Sequence, residues 1–394
     1  MKILQVVPYF SPAWAYGGTP KVAFGLAKAL ARAGHEVEVF TTDAFDGRRR
    51  NPWGGDKVDV EGMKVFYFRN LSNKLAFDHR LFLSPGMVWA TRRELKRFDV
   101  IHLHEYRTLQ NFIVSHYAKK YRIPYVLSAH GSLPRFSRKR GSKKIFDLVF
   151  GRRILEDAAG LVAIREEEAQ QYKLMGANAQ KIRIVPNGLD VGLFENIPEK
   201  GRFKREFGLQ DRRIILFLGR INVIKGLDFL VRAFNQVQKE LEDVVLVLAG
   251  PDDGYKRTLL KLIEKLNLTD KVVFVDFLEE ERKLSAYVDA EVLVYPSLHE
   301  VFGLVPFEAA MCGTPVLVTE SSGCAGVFKK IGVDNLVRYG DVVGLERKIV
   351  NVLSHLDPKR EDVQKIRKYV VDNLNWSVIV EKMVNVYREV VEKR

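Results

Sequence analysis

AEVLVYPSLHEVFGLVPFEAAMCGTPVLVTE, residues 290–320, decides the fold. AEVLVYP (290–296) and TPVLVTE (314–320) are short continuous apolar runs, as expected of strands buried on both faces of a parallel sheet. Between them a loop leads into a helix that should begin near Phe302 or Gly303, with Pro306 tolerated in its first turn. Glu300 then precedes the helix and Glu308 projects from its second turn. Eight positions separate the two acids, so on one continuous helix they would occupy different faces. Set instead on either side of a helix entry, they flank free amides at 302–304 that can meet an anion.

The same rhythm runs outward in both directions. RIILFLG (213–219), VVLVLAG (244–250) and KVVFVDF (271–277) are further strands, separated by helical patterns at 226–241 and 254–266. In the first half the strands are KILQVV (2–7), EVEVFTT (36–42), MKVFYF (63–68), DVIHLH (99–104), PYVLSAH (124–130), GLVAI (160–164) and IRIVP (182–186). Thr19 is placed to cap a helix over 20–33 that Gly34 ends, and Ser84-Pro85 repeats that entry before 86–97. PNGLD, residues 186–190, suits a hinge. The expected fold is α/β, with two facing doubly wound Rossmann-like domains and a cleft between them. Residues 1–187 form one domain and 188–375 the other. NWSVIVEKMVNVYREVVEKR at the C-terminal end spaces Val378, Val380, Met383, Val384, Tyr387, Val390 and Val391 as one face of an amphipathic helix.

At 394 residues and 47% hydrophobic, the chain can bury two cores of ordinary size. It has no apolar run long enough to cross a bilayer, and MKILQVVPYF reads as a first strand instead of a signal peptide, so the cytoplasm is the expected location. Cys312 and Cys324 suit core thiols, since two cysteines make neither a disulfide framework nor a zinc site. The net charge of +14 lies wholly in the first half: residues 1–187 carry 32 Lys and Arg against 17 Asp and Glu, and residues 188–394 carry 31 against 32. Eight basic side chains and the single acid Asp147 crowd into RFSRKRGSKKIFDLVFGRR, residues 135–153. Such a face attracts anionic lipid, nucleic acid or a phosphorylated substrate, or is simply solvated.

In doubly wound sheets ligands bind beyond the carboxyl ends of the strands. Gly17-Gly18 follows the first strand and enters a helix, which suits either a tight turn or an anion held by backbone amides. No G-x-G-x-x-G fingerprint and no Walker loop is present, which argues against dehydrogenases and P-loop NTPases. His130-Gly131 ends the strand PYVLSAH and would face the cleft, in a structural or a functional role. His102 and His104 share a strand face but lack a third metal ligand, which favours packing. Arg220 and Lys225 in GRINVIKG suit a diphosphate, or a solvated surface. Asp252 and Asp253 in GPDDG suit helix caps better than a metal.

Taken together, the Gly17-Gly18 loop, SAHGSL, IVPNGLD, FLGRINVIKG and PSLHEVFGLVPFEAAMCGTPVL resemble the retaining nucleotide-sugar glycosyltransferases of family four (glycosyltransferase group 1), which have the GT-B fold. Even NWSVIVEKM is similar to that family's last segment, whose helix returns to the N-terminal domain, so 376–394 is expected to join 1–187. The resemblance implies a hexosyl transfer from a UDP- or GDP-linked sugar to a glycan or lipid-linked acceptor, in glycan, glycolipid or surface polysaccharide synthesis. It implies that Arg220 and Lys225 hold the donor diphosphate, with Phe302, Gly303 and Leu304 adding backbone contacts and Glu308 accepting from the ribose. Glu300 and His130 would lie at the transferred sugar as the catalytic pair, and Gly17 and Gly18 near the donor phosphates or the acceptor. Neither a metal nor a cofactor is implied. In one place the chain departs from the family, which commonly sets a Glu shortly after a Gly where this chain reads ESSGCAGVFKK. The other classes left in view are a sugar-nucleotide epimerase of related fold and a basic membrane- or nucleic-acid-binding protein. Nucleic acid is not an expected partner, whereas peripheral contact of 135–153 with the anionic inner face of a membrane is.

Overall fold

KILQV and EVEVFTT pair in parallel from Lys2↔Glu36 to Val6↔Phe40, and a sheet grows on either side of them. The computed structural model describes residues 1–47, 49–133, 140–355 and 360–393. The chain divides into two compact units, Met1–Gly188 with Trp376–Arg394, and Leu189–Asn375.

In the first unit the strands are β1 (Lys2–Val6), β2 (Glu36–Thr42), β3 (Lys57–Val60), β4 (Met63–Phe68), β5 (Val100–His104), β6 (Tyr125–Ser128), β7 (Gly160–Ala163) and β8 (Ile182–Ile184), in the spatial order β3-β4-β2-β1-β5-β6-β7-β8. All neighbours are parallel except β3 and β4. These two form a hairpin whose two-residue turn, Glu61-Gly62, has both residues at positive φ (52° and 80°). That geometry matches the right-handed strand twist and favours glycine. The strand reading above omits β3, a short half-exposed edge strand with only two apolar residues.

The second unit contains β9 (Arg213–Leu218), β10 (Val244–Ala249), β11 (Val272–Val275), β12 (Ala290–Tyr295), β13 (Val316–Thr319) and β14 (Leu336–Val337), all parallel, in the order β11-β10-β9-β12-β13-β14. β14 also goes unread in the sequence, because two residues carry no period. In both sheets the order reverses about the first strand, between β1 and β5 and between β9 and β12. At such reversal points the connections leave toward opposite faces of the sheet, and the crevice outside the strands' carboxyl ends is where ligands bind in this class of sheet.

Helix Trp376–Glu392 closes the first unit. Ile379, Val380, Met383, Val384, Val386, Tyr387 and Val390 join Ile3, Val7, Val37, Val39, Val65, Val100, Val126 and Val162 in one core. Its first residue is wedged tightly. A Cβ on Gly25 would lie 2.3 Å from the Trp376 ring, and one on Gly188 2.4 Å from it. Only glycine at both positions leaves the indole its place. Cys312 and Cys324 are both buried, and neither is in a disulfide.

Three helix entries differ from expectation. Helix Gly18–Arg32 starts at Gly17, which has φ 105° and no capping side chain, and the Thr19 hydroxyl turns to Tyr9 and Glu105. Ser84 precedes helix Pro85–Glu94 without capping it, so Pro85 alone marks that start. Helix Val305–Met311 begins later than Phe302, which puts Glu308 in its first turn instead of its second. Gly303, at φ 79°, holds the preceding loop in a left-handed bend that delays the helix.

Candidate functional site

Glycine contacts bring two loops together at the β9/β12 reversal. A Cβ on Gly250 would lie 2.0 Å from the Gly219 carbonyl oxygen, and one on Gly226, at φ 64°, 2.2 Å from that of Pro296. The loop after β9 therefore lies flush against the end of β12, and Leu298 N–H donates to the Ile224 carbonyl at 2.9 Å. Asn222 caps the short turn Val223–Lys225 through Ile224 N–H and turns Lys225 inward.

Lys225, 75 residues before Glu300, forms an ion pair with it. Tyr295 completes the group: its hydroxyl donates to the same Glu300 oxygen at 2.7 Å and accepts from Lys225 Nζ at 3.0 Å. Burial works to raise the Glu300 pKa, but the Lys225 charge and the hydrogen bonds from Lys225 and Tyr295 outweigh it and hold the carboxyl below its usual range. An ammonium has three protons, so Lys225 keeps one for a ligand.

Arg220 is more loosely held. It meets Asp253 at 3.1 Å in a half-exposed pair, and Asn222 donates to the same carboxylate at 2.9 Å. Asp252 accepts from the amides of Gly254, Tyr255 and Lys256 at 3.0, 3.1 and 3.1 Å, which is a helix cap. Among the described residues, no cluster of three or more His, Cys, Asp or Glu is gathered to hold a metal ion.

Glu308 has partners that the sequence does not suggest. Tyr287 donates to it at 2.8 Å, and buried Lys283 lies 3.2 Å from it and 2.7 Å from Glu280. Burial opposes the Lys283 charge, yet the two carboxylates raise its pKa on balance. Lys283 and Tyr287 stand four apart on helix Glu280–Asp289, hence on one face. That spacing was the available signal. Between the two acids, the amides of Phe302, Gly303 and Leu304 donate to no acceptor among the described residues. Gly323, in the loop that lacks the family's Glu, presses its backbone on this entry: a Cβ there would lie 2.5 Å from the Val301 oxygen.

In the first unit His130 lies in the turn just after β6, at φ 50°, followed by Gly131 at φ 78°. Its Nε2 lies 2.8 Å from His104 Nδ1, and the amide of Gly131 donates to Glu168 at 2.6 Å. Burial pushes the His130 imidazole down to about 4 and His102 down to about 3, so both are neutral near pH 7. Gly17 and Gly18 form the start of helix Gly18–Arg32, and a Cβ on either would meet open space.

Elsewhere in this unit an apolar pocket of about 480 Å3 is lined by Met87, Val88, Trp89, Leu109, Ile113 and Tyr117, among others. Residues 135–139 of the basic stretch lie outside the described residues. The part that follows is helical, with Ile145, Leu148 and Val149 exposed at 65, 81 and 49% alongside Lys144, Arg152 and Arg153, while Asp147 is anchored beneath by Arg107 at 2.8 Å.

Comparison with known proteins adds matches of three kinds. Residues 16–193 match the family model described as Glycosyltransferase Family 4, and residues 199–369 that of Glycosyl transferases group 1. The chain is 29% identical to an uncharacterised glycosyltransferase of Methanocaldococcus jannaschii over 100% of its own length and 99% of that protein. It is 28% identical to the D-inositol 3-phosphate glycosyltransferase of Xylanimonas cellulosilytica, covering 96% of this chain and 93% of that one. In three dimensions it is similar to Anabaena HepE, solved with UDP and glucose, with a TM-score of 0.75 at 18% identity and coverage of 98 and 99%.

Proposed function

The chain belongs to the group 1 glycosyltransferases, of GT-B fold, and we propose that it moves a hexosyl group from a nucleoside-diphosphate sugar to an acceptor hydroxyl with retention of anomeric configuration. The observation that carries this reading is the Lys225–Glu300–Tyr295 cluster at the β9/β12 reversal, beside the amides of Phe302, Gly303 and Leu304, which are unpartnered among the described residues.

Departure of a nucleoside diphosphate develops negative charge. Arg220, Lys225 and those amides are placed to stabilise it without a metal ion. Glu308, steadied by Tyr287 and Lys283, is assigned to the ribose hydroxyls, and Glu300 to the transferred sugar. On the first unit, His130 is assigned a sugar contact, and Gly17 and Gly18 a close backbone approach to phosphate or acceptor. The acceptor hydroxyl attacks from the leaving-group side and gives its proton to a donor phosphate oxygen, which accounts for retention without a protein nucleophile.

UDP is the first donor base to test, since HepE was solved with it, and a phosphate-bearing acceptor is suggested by the D-inositol 3-phosphate relatives. The apolar pocket near Trp89 and the exposed Ile145, Leu148 and Val149 favour an acceptor with an apolar portion, met at an anionic membrane surface. A thermal-shift screen of UDP- and GDP-sugars, followed by NMR of the anomeric centre in the product, tests the reaction. Stabilisation by no nucleotide sugar, or an inverted product, overturns it. Release of an epimerised nucleotide sugar without acceptor would establish the epimerase instead. Flotation with anionic vesicles that Leu148→Asp abolishes supports the surface contact, and no flotation even at low salt ends it.

A further inference from the structure

Gln5 on β1 is fully buried among valines and isoleucines, on the sheet face that helix Trp376–Glu392 covers. A primary amide there needs partners, because leaving its donor or acceptor unmet costs more than an ordinary hydrogen bond gains. Gln5 Oε1 stands 2.6 Å from His104 Nε2, and Gln5 Nε2 stands 3.2 Å from the Tyr387 hydroxyl. Beyond His104, its Nδ1 meets His130 Nε2 at 2.8 Å. Beyond Tyr387, the hydroxyl meets His102 Nδ1 at 2.7 Å, and His102 Nε2 meets Ser128 Oγ at 2.7 Å.

These six side chains form one unbranched chain with a direction. A neutral imidazole has one donor and one acceptor nitrogen, and the amide has a donor end and an acceptor end. With Oε1 toward His104, His104 must donate through Nε2 and accept through Nδ1, so His130 donates through Nε2 and keeps a lone pair on Nδ1. In the other direction Gln5 donates to Tyr387, Tyr387 to His102 Nδ1, and His102 Nε2 to Ser128. Every link is matched once. His130 alone of the six reaches the surface, and its Nδ1 has no partner among the described residues.

We propose that Gln5 and Tyr387 are positioning residues, which act through His104 and His102 to hold His130 in the tautomer whose Nδ1 accepts a hydrogen bond from a hydroxyl of the transferred sugar. This rests on the assignment of His130 to the sugar. It also gives the terminal helix a part in the chemistry, since Tyr387 lies 382 residues from Gln5 and closes the chain of bonds. Turning the Gln5 amide over would reverse every link and put a proton on His130 Nδ1, so that it would offer a donor where the sugar hydroxyl must donate.

Nitrogen-15 NMR of the full-length protein, labelled in histidine, reads the tautomers directly. The wild type should show His130 protonated on Nε2 and not on Nδ1. Gln5→Met should show His130 exchanging between tautomers, with turnover about tenfold lower and the donor KM within twofold. Tyr387→Phe should act in the same direction and serves if Gln5→Met does not fold. Once His130→Ala is in place, neither substitution should lower turnover further. Protonated Nδ1 in the wild type, or a His130 tautomer unmoved in both variants, overturns the proposal. Should the tautomers behave as stated while His130→Ala transfers sugar normally, the bonded chain is supported and the assignment of His130 to the sugar is overturned.

Discussion

Lys225 and Glu300 neutralise each other as an ion pair between the two loops that follow β9 and β12. Their side chains are only 9 and 19% exposed, so removing one strands the other in a poorly solvated place. Truncating one partner of a buried pair typically costs about 3–5 kcal/mol. Lys225→Met should therefore lower the free energy of unfolding by an amount in that range and also abolish detectable nucleotide binding. Glu300→Gln should behave differently. Its amide oxygen still accepts from Tyr295 and Lys225, so at neutral pH stability should fall by less than in Lys225→Met and donor Kd should change little while turnover falls at least a hundredfold. Because the Glu300 carboxyl is held below its usual range, its contribution is present above about pH 4.3 and lost as the pH falls through the lower folded value. Denaturation curves below pH 4.3 should thus be less acid-sensitive in Glu300→Gln. Equal loss of binding in both variants would contradict the separate roles.

Arg220 is restrained by a weaker bond than Lys225. Its pair with Asp253 is half-exposed, and such pairs contribute about 0–1 kcal/mol. A diphosphate should draw Arg220 away at little cost. Asp253→Asn removes the competing charge while leaving an acceptor for Asn222, so it should tighten UDP or donor binding about two- to fivefold, with stability within about 0.5 kcal/mol of wild type. Calorimetry at two salt concentrations checks this, since the gain should shrink as salt rises. Weaker binding in Asp253→Asn would mean that Asp253 helps aim Arg220.

Much of the fold was legible in the sequence because parallel strands buried on both faces appear as unbroken apolar runs. β9 and β12 needed nothing more than RIILFLG and AEVLVYP. β3 and β14 were missed, one being half-exposed at an edge and the other two residues long. At the site, proximity to strand ends pointed to His130, Arg220, Lys225 and Glu300 as positions worth attention. What could not be read was how they bond. Nothing local announces that Lys225 will be buried against an acid 75 residues away, or that Tyr295 will bridge them. Gln5 and Tyr387 were equally hidden, since each is one residue in an otherwise apolar pattern and they meet across 382 positions. Thr19 shows the opposite failure: a good capping residue whose hydroxyl was drawn to Tyr9 and Glu105, so that glycine was left to begin the helix.

Glu308 accepts from Tyr287 at 2.8 Å and stands 3.2 Å from Lys283, which fixes its carboxylate beside the helix entry. Hydrogen bonds to a charged acceptor contribute about 1.5–3 kcal/mol, so Glu308→Ala should raise the Kd for UDP about ten- to hundredfold. Lys283 retains Glu280, which limits the loss of fold stability. The discriminating measurement uses UDP against uracil-free or ribose-free phosphate compounds: the penalty should be present for UDP and absent for inorganic pyrophosphate. A uniform loss would place Glu308 in support of the helix instead of at the ribose.

The buried histidines make stability depend on pH in a window distinct from that of Glu300. His130 is pushed down to about 4 and His102 to about 3, by burial first and, for His102, by the neighbouring His130 as well. His104 is also held well below its usual value by burial and by its two histidine neighbours. An unfolded histidine titrates near 6.5. Between about pH 4 and 6.5 the unfolded chain therefore binds more protons than the folded one, and stability rises with pH. Their contribution is complete above pH 6.5 and is lost as the pH falls, each proton adding a slope of about 1.4 kcal/mol per pH unit. His102→Gln should be less stable than wild type at pH 7.5, having lost bonds to Tyr387 and Ser128. Near pH 5, however, its slope should be shallower by about one proton. Guanidinium midpoints collected from pH 7.5 to 4.5 give both quantities at once. An unchanged slope would show that His102 is charged in the folded protein, which would break the bonded chain running from Ser128 to His130.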